Sequence, residues 1–454
     1  MENSDFNIKD VEKPNLMRDV FPYDEVPRII FDYKEVPTNM PKKIFITDTT
    51  FRDGQQGYVP FTLDQILHLY DYLHKLSGPN GIIRYTEFFL YTKKDKEAVE
   101  LCLEREYKYP KVTGWIRANK GDFEFVKDAK LEETGILTSI SDYHIFYKFN
   151  QSRSQVIEKY LAIVEDCLKH GIACRCHLED VTRADIDNVV VPFAKKLMHL
   201  SEKYKLPVKI RLCDTLGLGV PYTFVALPRS IPKMVWSLLN KAEVPHELLE
   251  FHGHNDFSMA VSNSTSAWLY GASSINGTLL GIGERTGNTP IESMVIQLME
   301  LKQSKIGVNT QIIHEIADYF TKELGFNVPD YYPIVGQNFN VTRAGIHADG
   351  LIKNEEIYLP FNTRKILGSP PSVAVTHTSG HAGIVFWVNS YFNLEYESRV
   401  QKDDTNIKKI YNWVINQYKK GRVIPISDNE MLKLIKKYYP NMNKNNIKRH
   451  TSKN

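Results

Sequence analysis

His252 and His254 are separated by one residue. On a strand, side chains two apart point to the same face, so both imidazoles would share one side of a sheet. Two imidazoles placed in that way can hold one divalent metal, with a carboxylate from another strand as a third ligand. Asp53 and Asn288 are the oxygen donors suited to complete the set. Two nitrogens and two oxygens leave open positions for a chelating substrate. The plainer alternative is a pair of hydrogen-bonded histidines with no metal. Arg52 adjoins Asp53, and a fixed cation beside a metal can stabilise a developing enolate or oxyanion. Its plainer alternative is a salt bridge in a loop.

A second cluster lies in Arg175-Cys-His177-Leu-Glu179-Asp180. Alternation sends Arg175, His177 and Glu179 to one face and Cys174 and Cys176 to the other. The cysteines are therefore expected to be structural. Glu179 is placed to act as acid or base near the metal. Arg175 would lie two layers deeper. A buried guanidinium is costly unless paired, so its partner is either an internal carboxylate or a carboxylate of the substrate.

These clusters need elements to hold them. From residue 44 the chain repeats a short β-rich run followed by a longer helical pattern. Eight such runs occur, at 44–47, 82–89, 112–117, 136–140, 172–178, 208–213, 248–252 and 274–280. Between them, Thr62-x-x-Gln65 is a capping box before a 3.6-residue stripe. A helix starting near Ser154 is expected to stop at Lys169-His170-Gly171. Eight alternations in one domain predict a (β/α)8 TIM barrel, with a doubly wound open sheet as the alternative. The polar clusters fall where strands end, which in a barrel is where function sits. Residues 1–40 read as an N-terminal extension, 41–305 as the catalytic barrel and 306–440 as helical C-terminal subdomains. Ser427-x-x-Glu430 opens one of those helices. The Lys/Asn-rich tail 441–454 is expected to fray.

Composition narrows the function classes. The 454 residues are 42% hydrophobic and 24% charged, with a formal net charge of +3. That balance provides no global field for nucleic acid or a membrane surface. No apolar run long enough to span a bilayer and no secretory signal are visible. The five scattered cysteines fit a reduced, cytoplasmic protein.

Three motifs carry a resemblance: Asp48-Thr-Thr-Phe-Arg52-Asp53-Gly-Gln55-Gln56, His252-Gly-His254-Asn-Asp256 and Gly-Glu284-Arg-Thr-Gly-Asn288. In this order they resemble the metal-dependent Claisen-condensing synthases of the isopropylmalate and homocitrate type, with the related acyl-CoA lyases. The similarity covers roughly residues 41 to 390 and extends past the barrel. Ala344-Gly-Ile-His347, Tyr358-Leu-Pro and His377-Thr-Ser-Gly resemble the family's C-terminal segments. Gln55 departs from the family's usual Glu.

The resemblance implies metal ligands at Asp53, His252, His254 and Asn288, and catalytic roles for Arg52 and Glu179. It implies that His347 and Tyr358 reach a neighbouring subunit's site, so the active species would be at least a homodimer. Arg175, His177, Thr215 and Gln56 complete the expected substrate-binding set. Mn2+ or Co2+ is the foremost metal, and Mg2+ or Zn2+ also suits parts of such a site.

The implied reaction joins acetyl-CoA, a 2-oxoacid and water into a 2-hydroxy acid and CoA. The lyases lack the C-terminal extension, which favours condensation over cleavage. The chain ends before a feedback domain, so leucine inhibition is not expected. Homocitrate synthases have Arg four residues before the matching Glu, which makes a dicarboxylic acceptor the expectation. His177 stands where a small residue is usual and would shorten the cavity, favouring oxaloacetate, hence citrate as product. Oxoglutarate is the alternative acceptor, followed by those of isopropylmalate and citramalate synthases. A non-catalytic metal- or acyl-CoA-binding protein is the alternative from a different class.

Overall fold

A computed structural model describes residues 6–302, 307–394 and 396–442. The tail expected to fray lies outside them from residue 443 onward. The chain divides into two compact units, Met1–Asn309 and Thr310–Asn454.

The first unit is a closed barrel of eight parallel strands in sequential order. They are β1 (Phe45–Asp48), β2 (Ile83–Phe88), β3 (Lys111–Arg117), β4 (Glu133–Leu137), β5 (Ala173–Leu178), β6 (Val208–Asp214), β7 (Leu249–Gly253) and β8 (Ser274–Gly277). Each predicted strand is present. Six lie within one residue of the expected bounds at either end, and two differ by three residues. β4 begins and ends three residues before the expected 136–140, and β8 stops at Gly277, where a short 3-10 turn (Leu279–Gly281) takes over. Several of the intervening helices begin at side-chain caps. Thr62 with Gln65, Thr92 with Asp95, and Ser152 with Gln155 each form a reciprocal capping box. The helix expected near Ser154 is Arg153–Lys169, and Gly171 follows it with φ 76°.

Apolar side chains fill the space between strands and helices, with Ile46, Ile116, Ile136, Leu178, Ile210 and Phe251 buried on the outward faces. The inward face is different. Glu87, Arg175, His177, Arg211 and Glu250 are all buried there, so much of the barrel interior is a lattice of charges. Such a core is stable only if every charge is paired. Cys174 and Cys176 point outward among apolar neighbours and are free thiols, as expected. Among the described residues no helix is long and apolar enough to cross a membrane.

Residues 6–40 lie along the barrel. The carbonyls of Lys9 and Leu16 accept from Arg153 (2.9 Å) and from the Tyr143 hydroxyl (2.9 Å). Phe31 forms an antiparallel bridge with Val225.

The second unit is mainly helical, with a two-stranded parallel pairing of Val341–Thr342 and Ser372–Val373. Its core gathers Ile384, Trp387, Val388, Ile407, Ile410, Val414, Met431 and Ile435. The helix Asp428–Tyr438 starts at the predicted Ser427–Glu430 capping box.

Candidate active site at the carboxyl ends of the strands

β1 ends in Asp48, whose carboxylate accepts from the Thr50 amide (3.1 Å) and from the Thr50 and Thr86 hydroxyls (2.5 Å each). Burial nonetheless pushes its carboxyl up to about 6. These bonds set the π-helical turn Thr50–Gly54 that presents Arg52 and Asp53 to the barrel mouth. β7 carries His252, and His254 follows directly after its end. One ligand atom each from Asp53, His252 and His254 lies within 4.8 Å of the others, and all three residues are buried. Asn288 pairs with His254 through a backbone bridge.

The hydrogen bonding tests whether these residues suit a cation. His252 Nδ1 lies 2.7 Å from Asn276 Oδ1. Asn276 Nδ2 donates to Thr47 Oγ1 (2.9 Å), and Thr47 donates to Glu250 (2.9 Å). That chain makes Asn276 Oδ1 an acceptor, so the His252 proton sits on Nδ1 and the Nε2 lone pair is exposed. Nε2 faces Asp53 Oδ2 at 3.3 Å, and His254 Nε2 faces the same oxygen at 3.7 Å. Asp53 Oδ2 and Asn288 Oδ1 are buried with no hydrogen-bond partner. Buried acceptors without donors are costly, and a divalent cation would satisfy all of them at once. Burial, then the neighbouring His252, push His254 down to about 4, keeping its imidazole neutral as a ligand must be. Burial opposes ionisation of Asp53, but the Arg52 guanidinium beside it holds its carboxyl well below the usual range.

Arg52 Nε donates to Glu87 (2.9 Å), its Nη1 lies 3.4 Å from Asp53, and its guanidinium lies 5.3 Å from the Trp115 ring centre. Glu179 sits across the mouth. Ser139 donates to its Oε2, His144 Nδ1 is 3.3 Å away and Lys148 is 3.5 Å away. His144 also faces Asp180 at 3.8 Å, and burial lowers its pKa despite both carboxylates.

The remaining expected residues divide. Thr215 Oγ1 accepts from the Asp180 amide (2.8 Å), while its carbonyl accepts from Arg285 (2.5 Å). Gln56 reaches Glu284 at 3.1 Å from an exposed position. Gln55, the departure from the family pattern, bonds within its own loop to Phe51 and Phe61. In the second unit His347 and Tyr358 lie against each other, ring centres 4.5 Å apart, with Tyr358 partly exposed.

Arg175 and His177 are each paired inside the barrel. The Arg175 guanidinium is 2.6 Å from Glu133 and 3.6 Å from Glu250, stacked over Tyr85. Of the two partners expected for a buried Arg, the fold supplies the internal carboxylate. His177 turns its Nε2 to Glu87 (3.1 Å), one layer below the Asp53–His252–His254 cluster. We therefore expect Arg175→Ala to lower stability by about 3 kcal/mol by stranding buried carboxylates. Activity towards all acceptors should fall together. Urea unfolding alongside kcat/KM for oxaloacetate, oxoglutarate and 2-oxoisovalerate checks this, and a loss confined to the dicarboxylates would restore the substrate role.

Sequence reading missed Ser139, His144 and Glu87. The signal for the first two was present: Thr138-Ser-Ile-Ser-Asp-Tyr-His144 is a polar strand end like those that carry the other clusters, and Ser139 was hidden because β4 was expected to run to residue 140.

A family model described as HMGL-like matches residues 43–320. A citrate (Re)-synthase of Clostridium kluyveri is 52% identical over 436 residues, covering 96% of this chain and 96% of that protein. Another citrate (Re)-synthase, from Syntrophus aciditrophicus, is also 52% identical, covering 98% of this chain and 71% of that protein. Among solved structures, a hydroxymethylglutaryl-CoA lyase from Pseudomonas aeruginosa superposes with a TM-score of 0.50 at 19% identity. It covers 63% of this chain and 95% of that one, a likeness of fold.

Proposed function

Because the chain belongs to the HMGL-like family, we propose that it is a citrate (Re)-synthase, an acyltransferase that condenses acetyl-CoA with oxaloacetate and water to give citrate and CoA. The observation that carries the reading is the buried Asp53–His252–His254 cluster with its unsatisfied acceptors, next to the fixed cation Arg52. The identity to citrate (Re)-synthases along nearly the whole chain supports the choice of acceptor. With Arg175 tied to Glu133, that choice no longer draws on an arginine in the acceptor pocket.

Asp53, His252 and His254 would hold the divalent cation, with Asn288 Oδ1 as a further donor; we favour Mn2+ or Co2+ over Mg2+ or Zn2+. Bound there, it supplies Lewis-acid polarisation of the acceptor's keto group. Arg52 is the donor for the thioester oxygen as enolate charge develops on it. Glu179 takes the proton from the acetyl methyl group, held by Ser139 and with neutral His144 at its side. The methylene carbon then adds to the keto carbon, the C=O π pair moves to the oxygen, which takes up a proton to become the hydroxyl, and water hydrolyses the thioester, releasing CoA and driving the sequence forward. Thr215 and Gln56 flank the substrate at the rim. His347 and Tyr358 would close the site of a neighbouring copy in a homodimer. Buried free cysteines suit a reducing cytoplasmic setting.

The test is CoA release from acetyl-CoA with added Mn2+ and a panel of 2-oxoacids. Oxaloacetate should exceed oxoglutarate and 2-oxoisovalerate in kcat/KM by roughly 100-fold or more. A preference for 2-oxoisovalerate would overturn the acceptor, and no release with any acceptor would leave a binding protein.

A further inference from the structure

The centre of the barrel holds one carboxylate on which three donors converge, with a histidine in contact beside them. Glu87, near the end of β2, is almost fully buried and accepts from Arg52 Nε at 2.9 Å and from Thr49 Oγ1 at 3.1 Å. Arg211 Nη1 lies 3.1 and 3.2 Å from its two oxygens, and His177 Nε2 lies 3.1 Å from Oε1. Burial, then Arg211, push His177 down to about 3, so the imidazole is a neutral partner and Glu87 is shared by two guanidinium cations. Burial opposes its ionisation, but the Arg211 and Arg52 guanidiniums hold Glu87 well below the usual carboxylate range.

The way Arg52 is held matters for what it can do. Its Nε is bound by Glu87, its plane lies by the Trp115 ring, and Nη1 is beside Asp53. Fixing a guanidinium at Nε leaves its terminal N–H groups on the side of the metal-binding cluster, where charge would develop. From below, Arg211 is itself held by Glu250, so Glu87 cannot follow Arg52 outward without breaking a second buried pair. The room for this arrangement comes from Gly135, where a Cβ would sit 2.9 Å from Glu87 Oε1 and 2.7 Å from His177 Nε2.

We propose that Glu87 is a positioning residue for the condensation, aiming Arg52 at the reacting thioester oxygen while Arg211 and His177 fix Glu87. The assignment rests on the catalytic reading of Arg52. It places His177 in the service of this carboxylate and not as a wall of the acceptor pocket.

Chemical rescue separates positioning from simple structural support. Arg52→Ala should lose about 100-fold or more in kcat. Added guanidinium, at concentrations that leave the fold intact, should recover about tenfold of it where Glu87 is present to bind the ion. In the Arg52→Ala/Glu87→Gln double variant the same addition should recover less than about twofold. Glu87→Gln alone should lower kcat per folded enzyme about 10- to 100-fold, with KM for both substrates changed no more than about threefold. If that variant does not fold, Glu87→Asp keeps the charge, retracts it from Arg52 Nε, and should show the same split between kcat and KM. Equal rescue in both backgrounds, or Glu87 variants with wild-type kcat per folded enzyme, overturns the proposal. A wild-type enzyme inactive with every 2-oxoacid sinks the condensation reading itself, whereas an active one with indifferent Glu87 variants sinks only this assignment.

Discussion

His252→Ala and Asp53→Ala should each abolish turnover and divalent-metal binding while leaving the barrel folded. Each change removes one of three converging ligand atoms, and the loss of one first-row ligand in a site of this kind weakens binding by orders of magnitude. The fold should survive because these residues stand at strand ends and in the turn after β1, above the paired lattice of Glu87, Arg211 and Glu250. Asn276→Ala probes the same centre more gently. It frees His252 Nδ1, so the imidazole can take the other tautomer, and metal affinity should fall about 10- to 100-fold. Calorimetric titration with Mn2+ reads all three variants, and circular dichroism checks the fold. Full metal affinity in His252→Ala would show that the histidines are only hydrogen-bonded neighbours.

Mixing two inactive chains should restore activity. Arg52→Ala damages the barrel site, and His347→Ala damages the element proposed to close a neighbour's site. In a mixed dimer one site is doubly defective, while the other combines an intact barrel with an intact His347. Random mixing should therefore return roughly a quarter of wild-type activity, because about half of the dimers are mixed and each has one good site. Tyr358, which lies against His347, should behave identically in place of it. Verified mixed dimers with no activity would mean that each chain completes its own site.

Much of the site was legible from spacing alone. The two-residue repeat places His252 and His254 on one face whatever the surroundings, and strand ends are where a barrel exposes polar side chains. The eight strands were legible because a short run with apolar residues recurs between helical patterns. Alternation, however, reports only which face a side chain takes, not which groups meet it there. Arg175 does face inward, but its partners, Glu133 and Glu250, come from the starts of two other strands, and no local pattern pairs them. Glu87 went unnoticed for the same reason. In sequence it is one polar residue in an aromatic run, and its meaning lies in Arg52, Arg211 and His177 arriving from three other parts of the chain. Ser139 was hidden by a boundary, since a strand end set three residues late put it inside the strand on paper, while His144 lies beyond that end in the turn Tyr143–Lys148.

The central claim is the identity of the product and the face of the acceptor on which the new bond forms. Acetyl-CoA carrying isotopic label in its acetyl carbons should be condensed with unlabelled oxaloacetate by the purified, Mn2+-loaded protein. The citrate should then be cleaved by a lyase that is specific for one carboxymethyl arm. Labelled citrate with the label in the arm set by attack on the re face is the expected result. Label in the opposite arm, or a product other than citrate, would contradict the account.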